Sequence, residues 1–391
     1  MFKTLLAGVL LAGSVVAVAK APVVPTDEAA RAAMRKAGAE VLFWDSAQRD
    51  RNFRAMETIF PTLPVRAGKG VRPLSRGRAL GFPTREIDRF VAAQNVAGLI
   101  VIKDGRVRLE RYARGFGATQ RWTSFSVAKS LTSTLIGAAV RDGSIGSLDD
   151  GVIRYVPELK GSAYDGVTVR QVLTMSSGVS WNEDYTDPKS DVAQMFALPV
   201  PDGEDVTVAY LKRLPRAAPP GSKWNYNTAE TNLAGVILGR AVKMPISRYA
   251  SQRIWRPYGM EADAAWQTDE RGHEIAGCCL SLRLRDYARL GQLMLDDGRT
   301  RGGRALLPAG WVGEATRVHH PFDAKGNGYG YFWWIGPDGY RASGIFGQNI
   351  WVDPGRRVVI AAVGSWPSAT DDRLAADRQA FFTRLADAAS R

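Results

Sequence analysis

The sequence predicts an α/β (α+β) fold: an antiparallel sheet flanked by helices, with a mostly helical second subdomain. Three observations carry this prediction. Strand patterns occur near both ends of the globular region. The stretch between them, about 166–274, is rich in helical periodicity and loops. The chain closes on an amphipathic helical pattern over about 371–389. One sheet assembled from both chain ends, with the helical part inserted between, accounts for all three and sets a cleft where the parts meet.

The first element is an address. Lys3 precedes an apolar run over 5–18, and Ala17-Val18-Ala19 has the small residues of a cleavage site. Residues 1–19 therefore read as a signal peptide, with the mature chain starting near Lys20 in the periplasm or outside the cell. An uncleaved anchor is the alternative. No stretch reaches the roughly 20 apolar residues that span a bilayer, so no membrane insertion is expected after cleavage.

Residues 20–80 form an N-terminal extension. A short helical pattern gives way to a Pro/Gly/Arg-rich stretch over 61–83, read as a linker or a surface-hugging arm. The main domain covers 81–391, with its α/β part over about 81–165 and 275–391. Strands at 99–102 and 107–110 flank Asp104-Gly105, a hairpin signal. A helix over 127–141 follows, stopped by Gly143. Near the C-terminus 329–335 is aromatic and β-prone, and Tyr331-Phe332-Trp333-Trp334 reads as core strand before binding platform. Strands at 350–352 and 358–360 flank a turn over 353–356.

The formal charge of the 391 residues is +13. Arginines are interleaved with acids, as in Arg283-Leu284-Arg285-Asp286, and no dense basic run carries stacking aromatics. That describes a solvated arginine-rich surface and argues against a nucleic-acid partner. The two cysteines, Cys278 and Cys279, are adjacent. Neighbouring cysteines seldom close a strained ring, so they are expected to be unpaired, small and buried. Their spacing fits no zinc site, and no metal or cofactor is implied.

A serine hydroxyl attacks a carbonyl only when a base takes its proton. Ser126-Val127-Ala128-Lys129 supplies both groups, since positions i and i+3 share a helix face. Burial disfavours the ammonium and makes lysine a usable base. The helix start also offers free N–H groups and a positive dipole end. Such a pair arises roughly once by chance in a chain of this composition. Its place after a strand hairpin, opening a helix in an apolar run, raises its weight. A Ser-His-Asp arrangement has only His273, His319 and His320 to draw on and no G-x-S-x-G elbow.

With Ser126-x-x-Lys129 in view, the chain resembles the serine β-lactamase/penicillin-binding-protein superfamily. Within it the chain is similar to the branch of class C β-lactamases, family VIII-type esterases and 6-aminohexanoate-dimer hydrolase. The resemblance spans about 82–388, through Leu148-Asp149-Asp150, Leu173-Thr174-Met175-Ser176-Ser177-Gly178, Arg285-Asp286-Tyr287 and Gly328-Tyr329-Gly330-Tyr331. It implies a β-lactamase/transpeptidase-like fold and a small-molecule substrate. Its second motif falls on Tyr226-Asn227-Thr228, which makes Tyr226 the proton carrier between Ser126, Lys129 and the leaving group. A nearby ammonium would favour its phenolate. Asn227 and Glu230 also read as a capping box. Thr228 stands where relatives often carry asparagine. The third motif falls on Ala342-Ser343-Gly344, and the resemblance places the oxyanion hole on the backbone N–H groups of Ser126 and Ile345. In peptidases and β-lactamases a cation at the position of Ala342 holds the substrate carboxylate. Alanine cannot, and Arg341 should point to the opposite face.

This departure favours an ester or linear amide substrate. By the same resemblance Tyr185 contacts the substrate amide, and Asp187 or Asp191 receives an amine end. The alternatives are a D,D-peptidase or β-lactamase, and a non-catalytic peptidoglycan- or penicillin-binding protein. The oligomeric state is left open, a homodimer included.

Overall fold

The computed structural model describes residues 23–391. The expected signal peptide lies outside the described residues. The larger of two sheets has eight antiparallel strands. Their order is Arg106–Tyr112, Val96–Lys103, Val358–Gly364, Asn349–Asp353, Gly339–Ser343, Trp334–Gly336, Gly328–Tyr329 and His320–Pro321. The strand at 96–103 thus pairs with one at 358–364, joining the two chain ends inside the sheet.

Side chains alternate across a strand, so a central strand buried on both faces must be apolar throughout. Val358–Gly364 is buried at all seven positions. Its Val359, Ala361 and Val363 join the main core, while Val358, Ile360 and Ala362 face a second apolar cluster. The helix Leu284–Leu295 packs on the first face. Helices Thr84–Ala93 and Asp372–Ser390 cover the second, with Phe90 stacked on Phe381 at 3.9 Å.

The second sheet is small and decides where the site sits. Its order is Thr62–Val65, Ala264–Gln267, Leu280–Leu282 and Trp122–Thr123. It unites the N-terminal extension, the end of the helical part, the residues after the cysteines and the residues before Ser126. The stretch over 61–83 therefore does more than link: Thr62–Val65 is a sheet strand with Val65 fully buried. The aromatic run near the C-terminus is not one strand. Phe332 takes a left-handed φ of 58° and separates the short strands Gly328–Tyr329 and Trp334–Gly336.

Candidate active site

The helix Val127–Arg141 begins one residue after Ser126 and is buried along nearly its whole length. Lys129 is 1% exposed. Its Nζ donates to Ser126 Oγ (2.9 Å) and to Gly277 O (2.8 Å). Burial lowers its pKa to about 8, with the Glu183 carboxylate pulling the other way. A lysine near 8 has a neutral fraction at pH 7, and one lone pair then faces the serine.

Tyr226 sits across from this pair, with Lys129 Nζ 5.3 Å from its ring centre. Trp334 stacks on it at 5.5 Å and 27°. Burial, and then the Glu183 charge, push the phenol well above its ordinary value, outweighing the hydrogen bond with Ser126 that lowers it. This runs against the expectation of a favoured phenolate: desolvation of the anion dominates, and the Glu183 charge adds to it. Tyr226 is a protonated donor at neutral pH. Asn227 caps the helix Thr228–Val242 through Glu230 N (3.1 Å). Glu230 does not close the capping box; it turns inward to Ser177, and burial raises its carboxyl to about 8.

Ser126 and Ile345 line one pocket, together with Tyr185 and Thr228. Gly344, just after the strand Gly339–Ser343, lets that segment lie against the Ser124–Ser126 backbone. A Cβ on it would lie 2.5 Å from Ser124 O and 3.1 Å from Ser126 N. Ala342 is 1% exposed and carries no charge to the site. Ser343 accepts a hydrogen bond from Asn349 Nδ2 (2.9 Å). Arg341 lies with its guanidinium 6.0 Å from the centre of Trp334, the ring stacked on Tyr226. It has no acid partner among the described residues.

Glu183 organises the substrate side, and sequence reasoning missed it. Its carboxylate accepts from Thr228 N (2.9 Å), Thr228 Oγ1, Tyr185 OH (2.7 Å) and Trp181 Nε1. Nothing in an acidic loop separates this acid from its neighbours. The acids that were singled out are spent elsewhere. Asp187 accepts from Lys189 N (2.8 Å), and Asp191 from Asn182 N and Tyr210 OH (2.7 Å each).

The expectation of unpaired cysteines is also overturned: a disulfide joins Cys278 to Cys279. Cys279 takes a left-handed φ of 67°, so the pair occupies a turn and not an extended strand. Both line the pocket, directly after the Gly277 carbonyl that holds Lys129.

The pocket holds about 170 Å³, comparable to the ~150 Å³ cavity that takes a benzene-sized guest. The N-terminal extension lines it with Met34, Gly38 and Leu42, and the helical part with Val192, Phe196 and Leu198. Two buried acceptors in this lining keep an oxygen without a hydrogen-bond partner. Glu270, 5% exposed, accepts from Arg35 Nη1 at Oε2 (2.5 Å) and leaves Oε1 without a partner; Gln267, 7% exposed, leaves its Oε1 likewise. Among the described residues no group of three or more His, Cys, Asp or Glu could hold a metal ion.

A family model described as Beta-lactamase matches residues 84–384. The 6-aminohexanoate-dimer hydrolase of Paenarthrobacter ureafaciens is 30% identical over 345 residues, covering 83% of this chain and 87% of that protein. Among solved structures, a Bacillus anthracis protein provisionally named 6-aminohexanoate-dimer hydrolase superposes with a TM-score of 0.75 at 23% identity, covering 86% of this chain and 93% of that one. A family VIII carboxylesterase superposes with a TM-score of 0.59 at 17% identity, covering 80% and 98%. At these identities the two structures speak to the fold.

Proposed function

Since this chain belongs to the β-lactamase family of serine hydrolases, we propose that it is exported and cleaves a linear amide or ester through an acyl-enzyme on Ser126. The observation that carries this is Lys129 Nζ, buried, 2.9 Å from Ser126 Oγ and lowered to about 8. In its neutral form Lys129 donates to Gly277 O and accepts the serine proton as Oγ bonds to the substrate carbonyl carbon. The oxyanion that forms is received by the backbone N–H groups of Ser126 and Ile345, a contribution of a few kcal/mol. Tyr226, protonated at rest, gives its proton to the leaving amine or alcohol and is resupplied from Lys129. Water then attacks the acyl-enzyme by the reverse proton path.

Three features support a linear, largely apolar substrate. Ala342 offers no cation for a carboxylate. Most of the pocket lining is aliphatic or aromatic. The unpartnered oxygens of Glu270 and Gln267 suit an N–H donor on the substrate arm that enters there, in keeping with the aminohexanoate relative. A peptidase or β-lactamase reading draws on Arg341, which has no acid partner among the described residues and stands beside Trp334.

The test is a rate panel with p-nitrophenyl acetate, a linear aminohexanoate amide, nitrocefin and a D-Ala-D-Ala peptide. The ester and amide are expected to turn over, and Ser126→Ala to lose at least a thousandfold in kcat (about 4 kcal/mol). A Ser126→Ala enzyme hydrolysing the ester at the wild-type rate would refute the nucleophile. Efficient nitrocefin cleavage would shift the substrate class to β-lactams.

A further inference from the structure

Two residues next to the oxyanion donors have backbones that side chains rarely adopt. Phe125, before Ser126, has φ 43°, and Phe346, after Ile345, has φ 59°. A left-handed residue other than glycine is strained and persists only where its surroundings hold it. The holding group comes from the N-terminal extension, far from both in sequence.

Phe53 is fully buried between them. Its ring meets Phe125 edge-on at 4.9 Å and Phe346 at 5.3 Å, while Phe125 and Phe346 stand 5.4 Å apart. The three rings form a closed triangle. Backbone contacts reinforce it: Thr123 N donates to Phe53 O (2.8 Å), three residues before Ser126. Arg49, one helical turn earlier, places its guanidinium 5.4 Å from the Phe346 ring and donates to Trp44 O (2.5 Å).

We propose that Phe53 is a positioning residue for the oxyanion hole. It touches neither substrate nor reacting atoms. It sets the separation of the Ser126 and Ile345 N–H groups by wedging the two strained phenylalanines that adjoin them. The proposal rests on the reading of Ser126 as nucleophile. Its consequence is that the extension, outside the family match at 84–384, is part of the catalytic apparatus. Displacements of about 1 Å at reacting groups cost up to roughly a hundredfold in rate, so a loosened wedge is measurable.

The test uses the full chain with Phe53→Ala and the volume-conserving Phe53→Met. Ser126 is titrated with a fluorophosphonate to count intact sites. Then kcat per titrated serine, KM for p-nitrophenyl acetate and the affinity of a tetrahedral boronate are measured. Both variants are expected to lose at least threefold in kcat per site, with KM nearly unchanged and boronate affinity falling by a similar factor. Loss confined to melting temperature or to the count of titratable serines, or a smaller loss per site, would overturn the proposal. Absence of Ser126 labelling in the wild type would refute the nucleophile reading and this proposal with it. Labelled Ser126 with unchanged kcat in both variants refutes this proposal alone.

Discussion

The rate of ester hydrolysis should follow the neutral fraction of Lys129. That group is lowered from 10.5 to about 8 by burial. A base with this value is about 1% neutral at pH 6, about 10% at pH 7 and about 90% at pH 9. The value of kcat/KM for p-nitrophenyl acetate is therefore expected to rise roughly tenfold per unit between pH 6 and 7 and to level off above 8. The rise should total nearly a hundredfold. Glu183 supplies an internal control. Its charge holds the lysine up, so Glu183→Gln should move the midpoint towards acid. The assay is a continuous pH–rate profile with the uncatalysed ester rate subtracted. A profile flat from pH 6 to 9, or a Glu183→Gln midpoint displaced towards alkali, would refute the assignment of Lys129 as base.

The same burial makes Lys129 costly to the fold. The folded value lies below the unfolded one, so the unfolded chain binds the extra proton between pH 8 and 10.5, and stability must rise across that window. Lys129→Met should gain on the wild type by about 3 kcal/mol below pH 8, less the loss of the Gly277 hydrogen bond, and this advantage should fade by pH 10; urea melts at pH 7.5 and 10 that show a constant difference would contradict it. Gly344→Ala should lower kcat about a hundredfold with the fold retained, because its Cβ meets Ser124 O at 2.5 Å and must move the wall that carries Ile345; the check is kcat per titrated serine. At Gly38, which lines the pocket, an added Cβ meets nothing within 4 Å. Gly38→Leu should therefore raise stability by roughly 0.5–1 kcal/mol and lower the ratio of hexanoate to acetate ester turnover, read from melts and paired kcat/KM values.

What was legible from sequence follows the range of the physics involved. The Ser126–Lys129 contact is local: two residues three positions apart at the start of one helix fix it. The hairpin over 96–112 and the helix ending near Gly143 are local in the same sense, announced by Asp104-Gly105 and by a glycine at φ 73°. Glu183 was hidden because its role depends on Thr228, 45 residues away, and an acid in an acidic loop carries no mark of its partner. Phe53 was hidden for the same reason, since a phenylalanine in an Arg-rich extension announces no wedge. The cysteine pair misled because the usual objection assumes extended backbone, and Cys279 is left-handed. Tyr226 misled through competing effects. A nearby cation is visible in a motif, whereas desolvation appears only once the surroundings are packed.

The central strand pairing has a consequence for how activity arises. Val96–Lys103 must find Val358–Gly364, and Ile345 lies on the segment that this pairing draws in. Contacts so distant in sequence form late, after the loop-closure entropy between them has been met. During synthesis Ser126 emerges more than two hundred residues ahead of Ile345. On the proposed reading of Ser126 and Ile345, the serine has only half of its oxyanion hole until the last strand docks. On that reading a nascent chain, or one clipped before the strand Val358–Gly364, carries an inert serine, and hydrolysis waits for the pairing of the two chain ends.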